Sequence, residues 1–204
     1  MLLYCSLIEY SDSLLLIFKS KRNISGPIIF RAYLECYVDF INLANDRKYG
    51  YFMQASFHKD WIKILEEQSK GANPYLSAIP TTTLDSKHML ENSRIELKSL
   101  KEKGYSPLSI FKKFHRANVV DEYKSIYATL CAFSHNNISA LRNRFFFLQP
   151  EKETFDIALF KETDDVTPFI ETGYELLRES SFTIHTILNS GHASAFLSKE
   201  PSKE

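Results

Sequence analysis

PIIFRAYLECYVDFINLAN, residues 27–45, decides the fold. Only Arg31, Glu35 and Asp39 carry charge in this stretch, while Phe30, Tyr33, Leu34, Tyr37, Phe40, Ile41 and Ala44 recur at spacings of three and four. That period belongs to one wide face of an α-helix. The preceding Asn23-Ile24-Ser25-Gly26-Pro27 is a break, and Ser25 with Pro27 marks a helix start, where proline's missing N–H costs little. The helix is expected over residues 28–44. A helix this apolar is central, which takes the i,i+4 pair Arg31–Glu35 at least partly out of water. On an exposed face such a pair contributes a few tenths of a kcal/mol. Buried pairs are costly, and they are kept for packing specificity or for function.

Working outward, Leu3, Leu7, Tyr10, Leu14 and Ile17 give an amphipathic helix over residues 2–20. Residues 47–70 read as a third helix with Phe57, Trp61, Ile64 and Leu65 as its buried stripe, ended by Gly71-Ala72-Asn73-Pro74. A charged, mostly exposed helix is expected over 84–103, with Gly104 as its stop. Ser106-Pro107 opens a short helix carrying Ile110, Phe111 and Phe114 on one side and Lys112, Lys113, His115 and Arg116 on others. Residues 119–134 form a strongly apolar helix through Val120, Tyr123, Ile126, Tyr127, Leu130 and Phe133. After Asn136-Asn137 the pattern changes, and 144–149 with 154–160 read as a β-hairpin because the second arm partly alternates. A last helix over 168–188 turns Phe169, Tyr174, Leu177, Phe182, Ile184 and Ile187 inward. The chain is thus expected to be mainly α, a helical bundle with a small β-hairpin before its last helix. One domain is expected over 1–190, with 191–204 as a flexible tail.

Composition narrows the function classes. Lys+Arg and Asp+Glu both number 25, so the formal charge is zero, which excludes a sequence-independent RNA coat, a polybasic membrane arm and an acidic tail. Basic residues still gather over 112–116 and acidic ones over 151–165, so neutrality limits the footprint on nucleic acid without forbidding a small one. Hydrophobic content of 44% rules out disorder. Cys5, Cys36 and Cys131 lie far apart with no C-x-x-C, which supports neither a disulfide framework nor a zinc knuckle and points to a reducing cytoplasm. The longest apolar run near the start, residues 14–18, suits neither a signal peptide nor a membrane span, so no membrane is expected. P-loop, nucleophile-elbow and zincin motifs are absent, and His58, His88 and His192 lack ligand spacing. No metal and no cofactor is expected.

The stretch YKSIYATLCAFSHN, residues 123–136, carries the most chemistry. Tyr127, Cys131 and His135 are four apart and share one helix face. His135 falls where the helix ends, near carbonyls that favour an imidazolium, and it can exchange protons near neutral pH. A His in that position also serves simply as a cap. Lys112, Lys113, His115 and Arg116, interleaved with Phe111 and Phe114, have the residue types that contact RNA, although most such clusters are solvated helix faces.

Arg31-x-x-x-Glu35 followed much later by Tyr127-x-x-x-Cys131-x-x-x-His135 resembles a group of uncharacterised bacterial helical proteins. That group carries R-x-x-x-E early and Y-x-x-x-S-x-x-x-H late, and is distantly similar to HEPN-type bundles. The resemblance covers about residues 20–140. Cys131 departs from the small hydroxyl residue usual in the group, which keeps size and weakens any hydrogen bond made there. The resemblance implies an all-helical bundle, a homodimer or a defence-system partner protein, and a defence or toxin role acting on RNA. HEPN proteins that cleave RNA without metal use an Arg and a His separated by four to six residues. Ala128, Thr129 and Leu130 occupy the places where that Arg would precede His135. The spacing occurs instead at Arg178 and His185 in the last helix, nearly two turns apart and facing the same way.

Metal-free RNA cleavage needs a base for the 2′-OH, an acid for the leaving oxygen and a cation on the phosphate. His135 is expected to transfer protons, Tyr127 to orient it, and Arg31 to neutralise the phosphate while Glu35 holds the guanidinium. Arg178 and His185 form the alternative catalytic pair. The competing expectation is a non-enzymatic interaction or nucleotide-binding module in which Arg31, Glu35, Tyr127 and His135 form a structural network.

Overall fold

The structure is a computed structural model that describes residues 1–21, 23–71, 73–76, 83–134, 137–149, 151, 154–157 and 166–197. In chain order its elements are α1 (Leu2–Lys19), α2 (Gly26–Asn45), α3 (Tyr49–Ser69), α4 (Thr83–Glu102), α5 (Ile110–Arg116) and α6 (Val120–Glu122). A π-helical turn (Tyr123–Tyr127) leads into α7 (Ala128–Ser134), α8 (Ile138–Phe145), β1 (Phe146–Gln149), β2 (Thr154–Ile157) and α9 (Thr167–Ile187). The chain is mainly helical with a small antiparallel hairpin before its last helix, as the sequence predicts. It divides into two compact units, Met1–Ala44 with Lys113–Glu204, and Asn45–Lys112.

In the first unit α2 is central. Phe30, Tyr33, Leu34, Tyr37 and Val38 are buried at helical spacing, and Phe40 and Asn42 extend the buried surface around the helix. Each fully buried side chain of this size stabilises the fold by about 1.5–3 kcal/mol. Phe30 meets Phe169 of α9 edge-on at 5.4 Å. Tyr33 donates its hydroxyl proton to the Gly173 carbonyl at 2.9 Å, and Tyr37 donates to Glu179 at 2.6 Å. Burial pushes the Tyr33 hydroxyl up to about 12, and burial followed by the Glu179 contact raises Tyr37 further, so both remain donors. Tyr4 of α1 reaches α9 through a 2.9 Å hydrogen bond with Ser181. Gly26 lets α2 begin close under α1, because a Cβ there would lie 2.7 Å from the Phe18 ring.

On its other side α2 holds α5. Asn42 donates to the Lys113 carbonyl at 2.9 Å, and Lys113 pairs with Asp39 at the same distance. Phe114 is fully buried, with Tyr123 at 5.4 Å and Tyr127 at 5.0 Å. Phe114 is therefore a core residue and not a base-stacking one, and Lys113 is spent on Asp39. The basic cluster over 112–116 is reduced to Lys112, His115 and Arg116 on the exposed face.

The single α-helix expected over 119–134 is interrupted. The π turn inserts a wider coil at Tyr123–Tyr127, which brings residues four apart nearly above one another. The Tyr123 and Tyr127 rings stack at 5.4 Å and 18° as a result. The same shift rotates Ile126 outward, 38% exposed, where the sequence expected it in the core. The α8 helix has no counterpart in the sequence reading. Asn137 caps it by accepting from the Ser139 amide at 2.9 Å.

In the hairpin Phe146 faces Ile157 and Gln149 faces Thr154. Residues 158–160 of the expected second arm lie outside the described residues. Tyr174 and Ile187 of α9 were expected inward and are exposed; the buried residues of this helix are Ser180, Ser181 and Ile184. No helix among the described residues is long and apolar enough to cross a membrane.

The second unit is an antiparallel pair of α3 and α4. Glu66 bonds Arg94 at 2.8 Å, while Tyr51 and Phe52 pack on Tyr105 at 4.8 and 5.2 Å. Leu65, Ala55 and Leu100 are buried. Phe57, expected in the buried stripe, is 58% exposed and stacks on Trp61 at 6.2 Å. Gly104 ends α4 with φ +88°, a conformation that glycine adopts without a Cβ penalty.

Candidate functional site

The central helix and the end of α7 meet through charge and hydroxyl groups. Arg31 Nε donates to Glu35 Oε1 at 3.1 Å, one turn along α2. Its Nη2 donates to the Tyr127 hydroxyl at 3.3 Å, and its Nη1 donates to Ser134 Oγ at 2.9 Å. Tyr127 in turn donates to Glu35 Oε1 at 2.7 Å, which closes a triangle of three side chains. The Arg31 guanidinium carbon also lies 5.5 Å from the centre of the Tyr127 ring.

Each element has a local reason to place its residue here. The i,i+4 spacing on α2 puts Arg31 and Glu35 on one ridge. The π turn and Phe114 beneath it fix the Tyr127 ring, so its hydroxyl is presented by a packed aromatic stack. Ser134 turns its hydroxyl back to the Leu130 and Cys131 carbonyls at 3.2 and 3.0 Å while accepting from Arg31. Side-chain exposure is 26% for Arg31 and 37% for Glu35, so the pair is neither sealed in the core nor free in water.

The electrostatics follow from this intermediate position. Burial works against the Arg31 charge, but the hydrogen bond to Tyr127 and the neighbouring Tyr127, Cys131 and Glu35 outweigh it, and the guanidinium is held above its ordinary value. Burial and the bond to Glu35 raise the Tyr127 hydroxyl, against the opposing effect of Arg31. Tyr127 therefore keeps its proton at neutral pH, donating a hydrogen bond to Glu35 while accepting one from Arg31.

Of the four residues expected to act together, Arg31, Glu35 and Tyr127 converge. His135, the fourth, lies outside the described residues. Ser134 is a member that the sequence reading did not single out, although it lies seven residues, nearly two helical turns, beyond Tyr127. Cys131 lies near enough to Arg31 and Tyr127 to act on both.

Arg178 and His185, the alternative pair, do share a face of α9. Arg178 bonds Glu175 at 2.8 Å and the Phe196 carbonyl at 2.8 Å, and the His185 ring stacks on Phe196 at 5.1 Å. His185 Nδ1 shares a 2.7 Å hydrogen bond with Ser190, whose amide donates back to the His185 carbonyl at 3.1 Å. This is a helix end folded on itself, with Asn189 at φ +49° making the turn. Among the described residues no group of three or more His, Cys, Asp and Glu is arranged to hold a metal ion.

No curated protein and no solved structure matches the chain. One family model does, over residues 1–153 of the 204. The matched segment contains Arg31, Glu35, Tyr127, Cys131, Ser134 and His135, and it stops before Arg178 and His185. With three quarters of its length matched, the chain belongs to the family of unknown function DUF5677.

Proposed function

We propose that this protein is a bacterial HEPN-like defence or toxin-type protein that cleaves RNA without metal, acting as a homodimer or with a defence-system partner protein. The observation that carries the reading is the meeting of Arg31, Glu35, Tyr127 and Ser134, residues 92 to 103 apart in sequence where they cross from α2 to α7, immediately before His135. A half-exposed guanidinium positioned by a carboxylate and a hydroxyl is suited to a phosphate oxygen. His135 takes the proton of the RNA 2′-OH, whose oxygen attacks phosphorus. The P–O5′ bond breaks, the 5′ oxygen takes the proton back from the imidazolium that His135 has become, and the products are a 2′,3′-cyclic phosphate and a 5′-OH. Glu35 and Tyr127 hold Arg31 and take no part in proton transfer.

A second reading has its own observation. Tyr127 and Arg31 both donate to the same Glu35 oxygen, a circuit that also suits a non-enzymatic module whose helices are fixed by polar contacts. End-labelled single-stranded RNA incubated with the protein in EDTA separates the two. Cyclic-phosphate ends that appear with the wild type and fall about 100-fold with Arg31→Ala support the enzyme. Intact RNA with both proteins leaves the module.

A further inference from the structure

Helix α1 turns leucines outward. Leu15 and Leu16 are exposed, Leu16 at 59%, and Ile8 is exposed two turns before Leu15. Leu15 runs into a groove between α1 and α9 of about 150 Å³, floored by Phe18, Phe169 and Gly173 and rimmed by Leu15, Ile170 and Tyr174. Tyr174 is 62% exposed on that rim. Ser11 also lines the groove, but its hydroxyl donates to the Leu7 carbonyl at 2.8 Å. Single apolar side chains are ordinary on a protein surface, whereas a continuous patch of them marks a face that something covers.

The charges on this face say what covers it. Asp12 and Lys19 are exposed, and neither makes an ion pair among the described residues. Seven residues apart, they stand on one line of the helix, about 10 Å from each other and too far to meet within one chain. Leu15 and Leu16 lie between them and flank that line on either side. A second α1 laid antiparallel, with a two-fold axis passing between Leu15 and Leu16, sets each Asp12 opposite the partner's Lys19. It also brings the two copies of Leu15 together and the two copies of Leu16 together. The same surface is then used twice and closes on itself, as an isologous interface does. RNA suits the face poorly, since Glu9 and Asp12 outnumber Lys19 among the exposed charges of α1. A lipid surface calls for a belt of basic residues that the helix lacks.

We infer that α1, with the α9 rim of its groove, is the surface through which two copies of this chain pair antiparallel about Leu15 and Leu16. This rests on the homodimer half of the reading above and gives it an interface.

Sedimentation of the full chain over a dilution series tests the interface. The wild type is expected as a dimer that separates on dilution. Asp12→Lys and Lys19→Asp each set like charges opposite one another twice, and each is expected to weaken the dimer about 100-fold. An equal mixture of the two variants is expected to regain wild-type association, because every like pair then becomes an opposite one. A monomeric wild type overturns the inference, as does a dimer indifferent to both variants or a mixture that stays apart. Should either variant fail to fold, carbodiimide coupling of the unaltered protein, mixed from isotope-labelled and unlabelled chains, is read instead. It must yield an Asp12–Lys19 amide joining a labelled chain to an unlabelled one, and absence of that amide overturns the interface. A dimer that meets these tests while RNA stays intact keeps the surface and removes the enzyme. Cleavage by a protein that sediments as a monomer does the reverse.

Discussion

The end of α7 and the end of α9 both bring an arginine near groups capable of proton chemistry, yet they are built differently. At α7 the contacts are tertiary: Arg31 and Glu35 come from α2, Tyr127 and Ser134 from about a hundred residues later, and Arg144 from a further helix. At α9 nearly everything is local. Arg178 answers Glu175 three residues back, His185 answers Ser190 five residues on, and Phe196 folds over both. A local cluster forms wherever a helix ends and the chain turns back, so it says little about chemistry. A cluster assembled across the fold, polar and half-exposed, needs separate elements to hold it, and here an aromatic stack and a π turn do so. The α7 end is accordingly the stronger candidate for a site.

The comparison breaks most sharply at the stack. Phe114→Ala removes a fully buried ring from under Tyr127 and is expected to destabilise the protein by about 3–5 kcal/mol in urea unfolding. Phe196→Ala, at the half-buried turn beyond α9, should cost about 1 kcal/mol. Equal losses would mean that the α9 end is as integrated as the α7 end.

A finer test is coupling. Glu35→Gln with Tyr127→Phe, taken as a double-mutant cycle, should show an interaction of about 1–2 kcal/mol because the two share one short hydrogen bond within a network. Glu175→Gln with Arg178→Gln should show no resolvable coupling, since that pair is a local surface contact. Additivity at Glu35 and Tyr127 would reduce their triangle to coincident surface bonds.

The smallest effect is in alkaline pH. Tyr127 is raised above the ordinary tyrosine value of 10.0, so folding favours its protonated form. That contribution is complete below pH 10, where the unfolded chain also holds its proton, and it fades as pH climbs toward the folded value. The wild type should therefore lose stability from about pH 10 upward, and Tyr127→Phe should lose less. Parallel pH profiles for the two proteins would contradict the assigned bond.

Much of this was legible in the residues. The apolar run over 27–45 announces a central helix, and its only i,i+4 Arg–Glu pair is the half of the site that lies within one element. What joins that pair to Tyr127 is a crossing of helices, which no local spacing encodes. The resemblance supplied the partner, and the geometry supplied Ser134. Arg144 was hidden for a simpler reason: α8 has eight residues and only Ala140 buried, too little periodicity to declare a helix. The π turn left no trace either, since the same apolar residues satisfy a regular helix. Phe57 shows the limit from the other side, an aromatic at the right spacing that ends up against Trp61 in the open.

Single-turnover cleavage of a labelled RNA in EDTA, comparing His135→Ala with His185→Ala, tests the central claim most directly. Loss of a residue that transfers protons lowers such a rate by about 100-fold or more. The account predicts that fall for His135→Ala and near wild-type cleavage for His185→Ala. Activity that survives in His135→Ala and disappears in His185→Ala would move the site to the end of α9 and contradict it.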